Sequence, residues 1–226
     1  MELLVVMAVI AIVAGFAVPA VTTMLRGSQL TQGSQMVVDQ IALARQTALS
    51  RNRSVEVRFY KFPDAETPGE DSTKPDTWLF HGLQTFEVLD NGAKLPLGPI
   101  QRLPQNVIIN EAGLSTLINE QRDVATGDFT KPTDADPEMP DKVVGRNYRY
   151  ASLRFLPDGS TDLPPTGTVK TKGDSWYIAL HGTNEKDSRD PTLKDGKIKT
   201  LPPNYFILQI DPITGSTRSY RPNVGS

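Results

Sequence analysis

The hydrophobic pattern changes period twice along the chain. From Leu3 to Val21 there is no charge and no strongly polar side chain, and nothing alternates. As a helix rising 1.5 Å per residue, that run spans roughly 28 Å, about the thickness of a bilayer's hydrocarbon core. Beyond it Leu30, Gly33, Val37, Ile41, Ala44 and Ala48 recur at steps of three and four, while Gln32, Gln35, Asp39, Arg45 and Gln46 fall largely elsewhere. This spacing marks one face of an α-helix. It predicts that the helix continues out of the apolar run and ends near Ser50–Asn52, with Pro19 bending it where a backbone donor is lost.

At Ser54 the period becomes two. Ser54 to Tyr60 alternates polar and apolar residues, which predicts a half-buried strand with Glu56 and Arg58 facing outward. Arg45, Arg51, Arg53 and Arg58 make this stretch basic, as suits a solvated helix C-terminus. Further strands are predicted at Thr77–Phe80, Thr85–Leu89, Arg102–Ile109, Tyr148–Leu156 and Ser175–Leu180, with a helical turn over Leu114–Asn119. Asp90-Asn91-Gly92 and Pro157-Asp158-Gly159 read as turns. Tyr205–Ile210 and Ser216–Tyr220, joined by Asp211–Gly215, read as a terminal hairpin. The polar segments Pro63–Asp76, Asp123–Gly145 and Glu185–Lys199 read as exposed loops. The fold class is α+β: one long N-terminal helix on an antiparallel β-sheet or β-sandwich. Residues 1–21 form a transmembrane half of the helix, 22–52 its amphipathic half, and 53–226 a β-rich head.

Composition narrows the chemistry. The length of 226 residues suits an anchor and one domain. A net charge of −2 and a pI near 5.7 make neither nucleic acid nor an anionic surface the expected partner. There are no cysteines, so disulfides, thiol catalysis and cysteine-held metals are excluded. The 18 prolines and 17 glycines fit a turn-rich head. No Gly-x-Ser-x-Gly, phosphate-binding Gly loop or His-Glu-x-x-His occurs, and no enzyme is predicted. His81 and His181, each followed by glycine, read as strand-end turn residues, and two histidines fall short of a zinc site. Asn52-Arg53-Ser54 fits a glycosylation triplet but sits at a helix end.

Glu2 needs a separate explanation, because a carboxylate at the start of a membrane-length apolar run is costly. A secretory signal peptide has a basic leading region and a shorter apolar stretch; here no Lys or Arg precedes a longer one. An ordinary single-span anchor leaves Glu2 unexplained. The run from Glu2 through Ile12, with Pro19 following 17 residues after the acid, resembles the N-terminal segment of type IV pilins and type II secretion pseudopilins. The chain departs from that pattern at its front, where the leader, the glycine before cleavage and the first mature residues are missing. Ala42–Arg53 resembles the helix-to-strand passage of minor pseudopilins of the GspH/FimT type. Arg154–Ser160 with the closing hairpin more faintly resembles their C-terminal half. A narrower likeness is to the Verru_Chthon cassette protein D group.

That resemblance implies a structural minor subunit of a pilus or pseudopilus. It would wait in the bacterial inner membrane as a single-pass protein with its head in the periplasm, then assemble through its N-terminal helix. Its partners would be other pilin or pseudopilin subunits and, for the precursor, a prepilin peptidase. Glu2 would pair with the N-terminal amine of a neighbouring subunit. Some FimT-like pilins bind DNA during uptake; here Arg218 and Arg221, flanking Tyr220, would be the contacts. A free-standing anchored adhesin is a third reading. No cofactor is expected. Major pseudopilins, which the chain resembles less, use a calcium-binding loop, for which Asp128, Asp134, Asp136, Glu138 and Asp141 are the candidate ligands.

Overall fold

The structure, a computed structural model, describes residues 2–64, 67, 69–123, 125–126, 128–140, 144–165, 176–183, 193–194, 197–198, 202 and 204–221. Within the first half of the N-terminal helix it describes the side chains of Val5, Val6, Met7, Ile10 and Ile12, and of every residue from Met24 onward. The side chains of Glu2 and Pro19 lie outside this description.

Helix α1 (Glu2–Arg51) is a single element of 50 residues. Leu30, Gly33, Val37, Ile41, Ala44 and Ala48 are all buried, as their spacing predicts, with Ser34 beside them. The helix stops because Asn52 takes a left-handed φ of 51°. The Arg53 amide then donates back to the Ala48 carbonyl at 3.3 Å, capping the last turn.

The strands are β1 (Val55–Phe62), β2 (Leu79–Val88), β3 (Lys94–Pro96), β4 (Gln101–Arg102), β5 (Val107–Ile109), β6 (Arg149–Phe155), β7 (Trp176–Gly182), β8 (Leu193–Lys194), β9 (Lys197–Ile198), β10 (Tyr205–Ile210) and β11 (Thr217–Tyr220). A short helix α2 (Thr116–Asn119) follows β5. Nine strands form one antiparallel sheet in the order β11-β10-β7-β5-β2-β1-β6, with β3 and β4 also paired to β2; β8 and β9 pair separately. The α1 stripe packs on one face of this sheet against Val57 and Phe59 of β1, Leu83 of β2, Val107 of β5, Leu153 of β6, Ile178 of β7 and Leu208 of β10. The expected α+β arrangement, a long helix on an antiparallel sheet, is what the chain adopts.

The structure corrects several expectations. The two strands expected across residues 77–89 are one ten-residue strand, β2. Gly82, inside this strand, pairs with Tyr60 beside a register shift at Tyr60/Lys61, a usual place for a strand glycine. Conversely, Arg102–Ile109 is split, because Pro104 lacks a donor and its carbonyl accepts from Val107 in a turn with Asn106 at φ 66°. Within Glu185–Lys199 the described residues form the β8–β9 hairpin. Ser175 lies outside the described residues.

The largest correction concerns the sheet's other face. β1 is not half-buried: all eight of its residues are buried. The loops expected to be exposed fold over that face. Met139 and Val144 from the 123–145 loop pack with Tyr60, Phe62, Phe86, Tyr148 and Tyr150 into a second apolar cluster. From the 63–76 loop the buried carboxylate of Glu70 reaches His81, whose ring lies 5.6 Å from that of Phe62 in this cluster. Over β1, β2 and β6 the sheet is therefore covered on both faces, by α1 on one and by described residues of these loops on the other.

Candidate assembly surface and the charges of the head

α1 has two unlike halves. From Leu30 onward its stripe belongs to the head's own core. Before Leu30, Val5, Val6, Met7, Ile10, Ile12, Met24 and Leu25 are each more than half exposed. Removing apolar area from water stabilises by roughly 25 cal/mol per Å², so this half favours any surface that covers it. Among the described residues no helix is long and apolar enough to cross a membrane. Most of the run from Leu3 to Val21, where a span was expected, lies among residues whose side chains are not described.

The pleat separates the two C-terminal arginines. Arg218 pairs with Gln209 in the β10–β11 register, and the Tyr220 hydroxyl donates to the Gln209 carboxamide at 2.9 Å, so Arg218 and Tyr220 share the face away from α1. Arg221 turns to the opposite face, where its guanidinium donates to Thr31 Oγ1 on α1 at 3.0 Å. The two arginines thus do not flank the ring as a single surface.

The candidate calcium carboxylates are dispersed among cations. Asp128 bonds Arg149 at 2.9 Å, Asp136 bonds Arg58 at 2.6 Å, and Glu138 lies 3.3 Å from Arg146. The Asp134 carbonyl accepts from Arg146 at 3.3 Å, and Asp141 lies outside the described residues. Among the described residues no group of three or more His, Asp or Glu is arranged to hold a metal ion.

Arg58, expected on a solvated surface, instead centres a buried ion network. Its side chain is 1% exposed; Nε donates to Glu56 at 2.7 Å and Nη1 to Asp136 at 2.6 Å. Its guanidinium lies between the rings of Tyr150, at 4.2 Å, and Phe86, at 4.9 Å. Glu56 also receives Lys94 at 2.9 Å and Arg154 at 3.5 Å. Burial pushes the Glu56 carboxyl up, but hydrogen bonds from Arg58 and Lys94 outweigh it and hold the pKa below its ordinary value. Asp136 behaves alike: burial raises it, and bonds from Thr133 and Arg58 bring it below the usual range. Asp136 thereby ties the 123–148 segment to β1. The sequence holds one clue, since opposite charges two apart in a strand share a face.

The histidines do not form a site together. His81 lies inside β2, not at a strand end, and its Nε2 sits 2.7 Å from the buried carboxylate of Glu70. His181, next to the end of β7, is fully buried between the Asn110 carboxamide at 3.1 Å and the Gly182 carbonyl at 3.0 Å. Burial pushes the His181 pKa down.

No protein-family model matches the chain, and no curated protein matches it. Among solved structures it is similar to the type IV minor pilin FimU of Pseudomonas aeruginosa PAO1, at 15% identity over 87% of this chain and 94% of that one, with a TM-score of 0.41. A second crystal form of FimU gives 15% identity over 86% of this chain and 98% of that one, with a TM-score of 0.38. The chain is also similar to the minor pseudopilin EpsH of the Vibrio cholerae type 2 secretion system, at 9% identity over 86% of this chain and 98% of that one, with a TM-score of 0.42.

Proposed function

We propose that this chain is a minor structural subunit of a pilus-like or type II secretion pseudopilus-like filament. Residues 3–21 hold it in the bacterial inner membrane with its head in the periplasm, and the same residues pack among neighbouring subunits after assembly. The observation that carries the reading is the division of α1. One half is committed to the head's own core, and the described apolar side chains of the other half are each more than half exposed. A bilayer and then a bundle of like helices cover them in turn. The Glu2 and Pro19 spacing supports the same reading.

Glu2 has a role only in this scheme. An unpaired carboxylate in hydrocarbon is heavily penalised, whereas a carboxylate facing a neighbouring subunit's N-terminal amine gains strongly in a low dielectric. Glu2→Ala, made in the full-length gene in its native host, leaves the protein in the membrane fraction but absent from sheared filaments. Normal incorporation of the variant overturns the proposal.

A further inference from the structure

The two ends of the nine-stranded sheet are treated differently. β6 is one edge, and its outward backbone groups are taken up by other parts of the chain. The Tyr150 amide donates to the Thr130 carbonyl at 3.0 Å. The Gln121 carboxamide acts as a one-residue strand, accepting from the Ser152 amide at 2.6 Å and donating to the Ser152 carbonyl at 2.7 Å. Asp162 does the same for Arg154, its carboxylate accepting from the amide and its own amide donating to the carbonyl, both at 3.0 Å. Three successive outward positions are sealed.

β11 is the other edge. The Asp211 amide donates to the Ser216 carbonyl at the hairpin's base, which sets the alternation of an antiparallel pair. Arg218 and Tyr220 therefore bond β10, while Thr217 and Ser219 turn their N–H and C=O groups outward. Among the described residues nothing accepts or donates at those outward groups. Arg218, Ser219 and Tyr220 are exposed. Asp211, whose carboxylate Arg218 helps to hold ionised, is already spent on the amides of Ile213 and Thr214, at 2.9 and 3.1 Å.

We propose that β11 is a docking edge that accepts an extended, acidic segment of another polypeptide as an added strand. Backbone bonds to Thr217 and Ser219 hold the incoming strand, and a carboxylate on it sits across from Arg218. Exposed edges are ordinarily blocked because they template unwanted pairing. Here one edge is blocked at every outward position and the other carries a cation and a ring instead. This surface lies on the head and does not depend on the filament reading of α1.

The test uses the full chain in detergent micelles and a labelled peptide of about eight residues alternating threonine and glutamate, with the threonine–lysine peptide as control, read by fluorescence anisotropy. The acidic peptide binds saturably and the basic one does not. Ser219→Pro removes an outward donor without touching a β10 bond, as edge strands tolerate; it abolishes binding while the melting temperature holds. Arg218→Glu inverts the preference between the two peptides. Acidic-peptide binding that survives Ser219→Pro, or no binding to the unmodified chain, overturns the proposal. A Ser219→Pro chain that unfolds transfers the decision to a peptide N-methylated on the donors facing β11, which must fail to bind.

Discussion

Arg58 offers the sharpest test of the covered outer face. Arg58→Ala deletes two charge-assisted bonds, at 2.7 and 2.6 Å, and empties the space between the Tyr150 and Phe86 rings. Removing one partner of a buried ion pair costs about 3–5 kcal/mol, chiefly through the charge left behind. Here neither carboxylate is stranded: Glu56 keeps Lys94 and Arg154, and Asp136 keeps the Thr133 amide and hydroxyl, at 2.7 and 2.8 Å. We therefore expect a loss in the lower part of that range, about 3 kcal/mol. Urea denaturation of the full chain in detergent, followed by tryptophan fluorescence, measures it, since Trp78 and Trp176 are both buried in the folded head. A loss below about 1 kcal/mol, the value of an exposed pair, refutes the buried network. The double variant with Asp136→Asn should cost less than the sum of the singles, because the pair is in direct contact.

Other outcomes follow from individual contacts. Stability should fall with acid in two steps. His181 has a lowered pKa, so the stability it contributes is fully present above the unfolded value and is lost as pH falls from about 6.5 through the folded pKa. His181→Gln should flatten that first step in a melting-temperature series against pH. Glu56 and Asp136, also lowered, give a second step below about pH 4, which Arg58→Ala should blunt. Gly215→Ala should destabilise strongly in denaturant melts, because φ is 65° and a Cβ would stand 2.1 Å from the Gly159 carbonyl oxygen. Gly92→Ala, at φ 81° with open space around it, should cost only the left-handed penalty of about 1–2 kcal/mol. Gln121→Ala uncovers both backbone groups of Ser152 on the β6 edge. It should cost about 1–3 kcal/mol in denaturant melts and raise light scattering on storage.

One half of this architecture was legible in the residues. The α1 stripe shows because helix packing imposes a period, and Leu30 through Ala48 obey it at every position. The terminal hairpin shows because Asp211 and Gly215 supply the turn chemistry that its backbone demands, with Gly215 at φ 65°. The outer layer was hidden for the opposite reason. The described residues of segments 63–76 and 123–145 belong to no long helix and no strand of the sheet, so no periodicity marks Met139 or Val144 as buried. Glu56 and Arg58 then look like the solvated side of an alternating strand, when they are in fact each other's partners beneath those loops. The acidic residues read as calcium candidates illustrate the same limit. Asp128 and Asp136 are acids matched to arginines on β6 and β1, and that matching is set by tertiary proximity.

The division of α1 is most directly tested by where its two halves make contact inside assembled filaments. A photo-reactive side chain placed at Ile10 or Ile12, both exposed, can be compared with one at Gln46 on the solvent side of the head-bound half. In sheared filaments from the native host, the first two positions should crosslink efficiently to another subunit while the one at Gln46 should not. Filaments that contain the chain, but show no crosslink from Ile10 or Ile12 to another subunit, would contradict assembly through the N-terminal half.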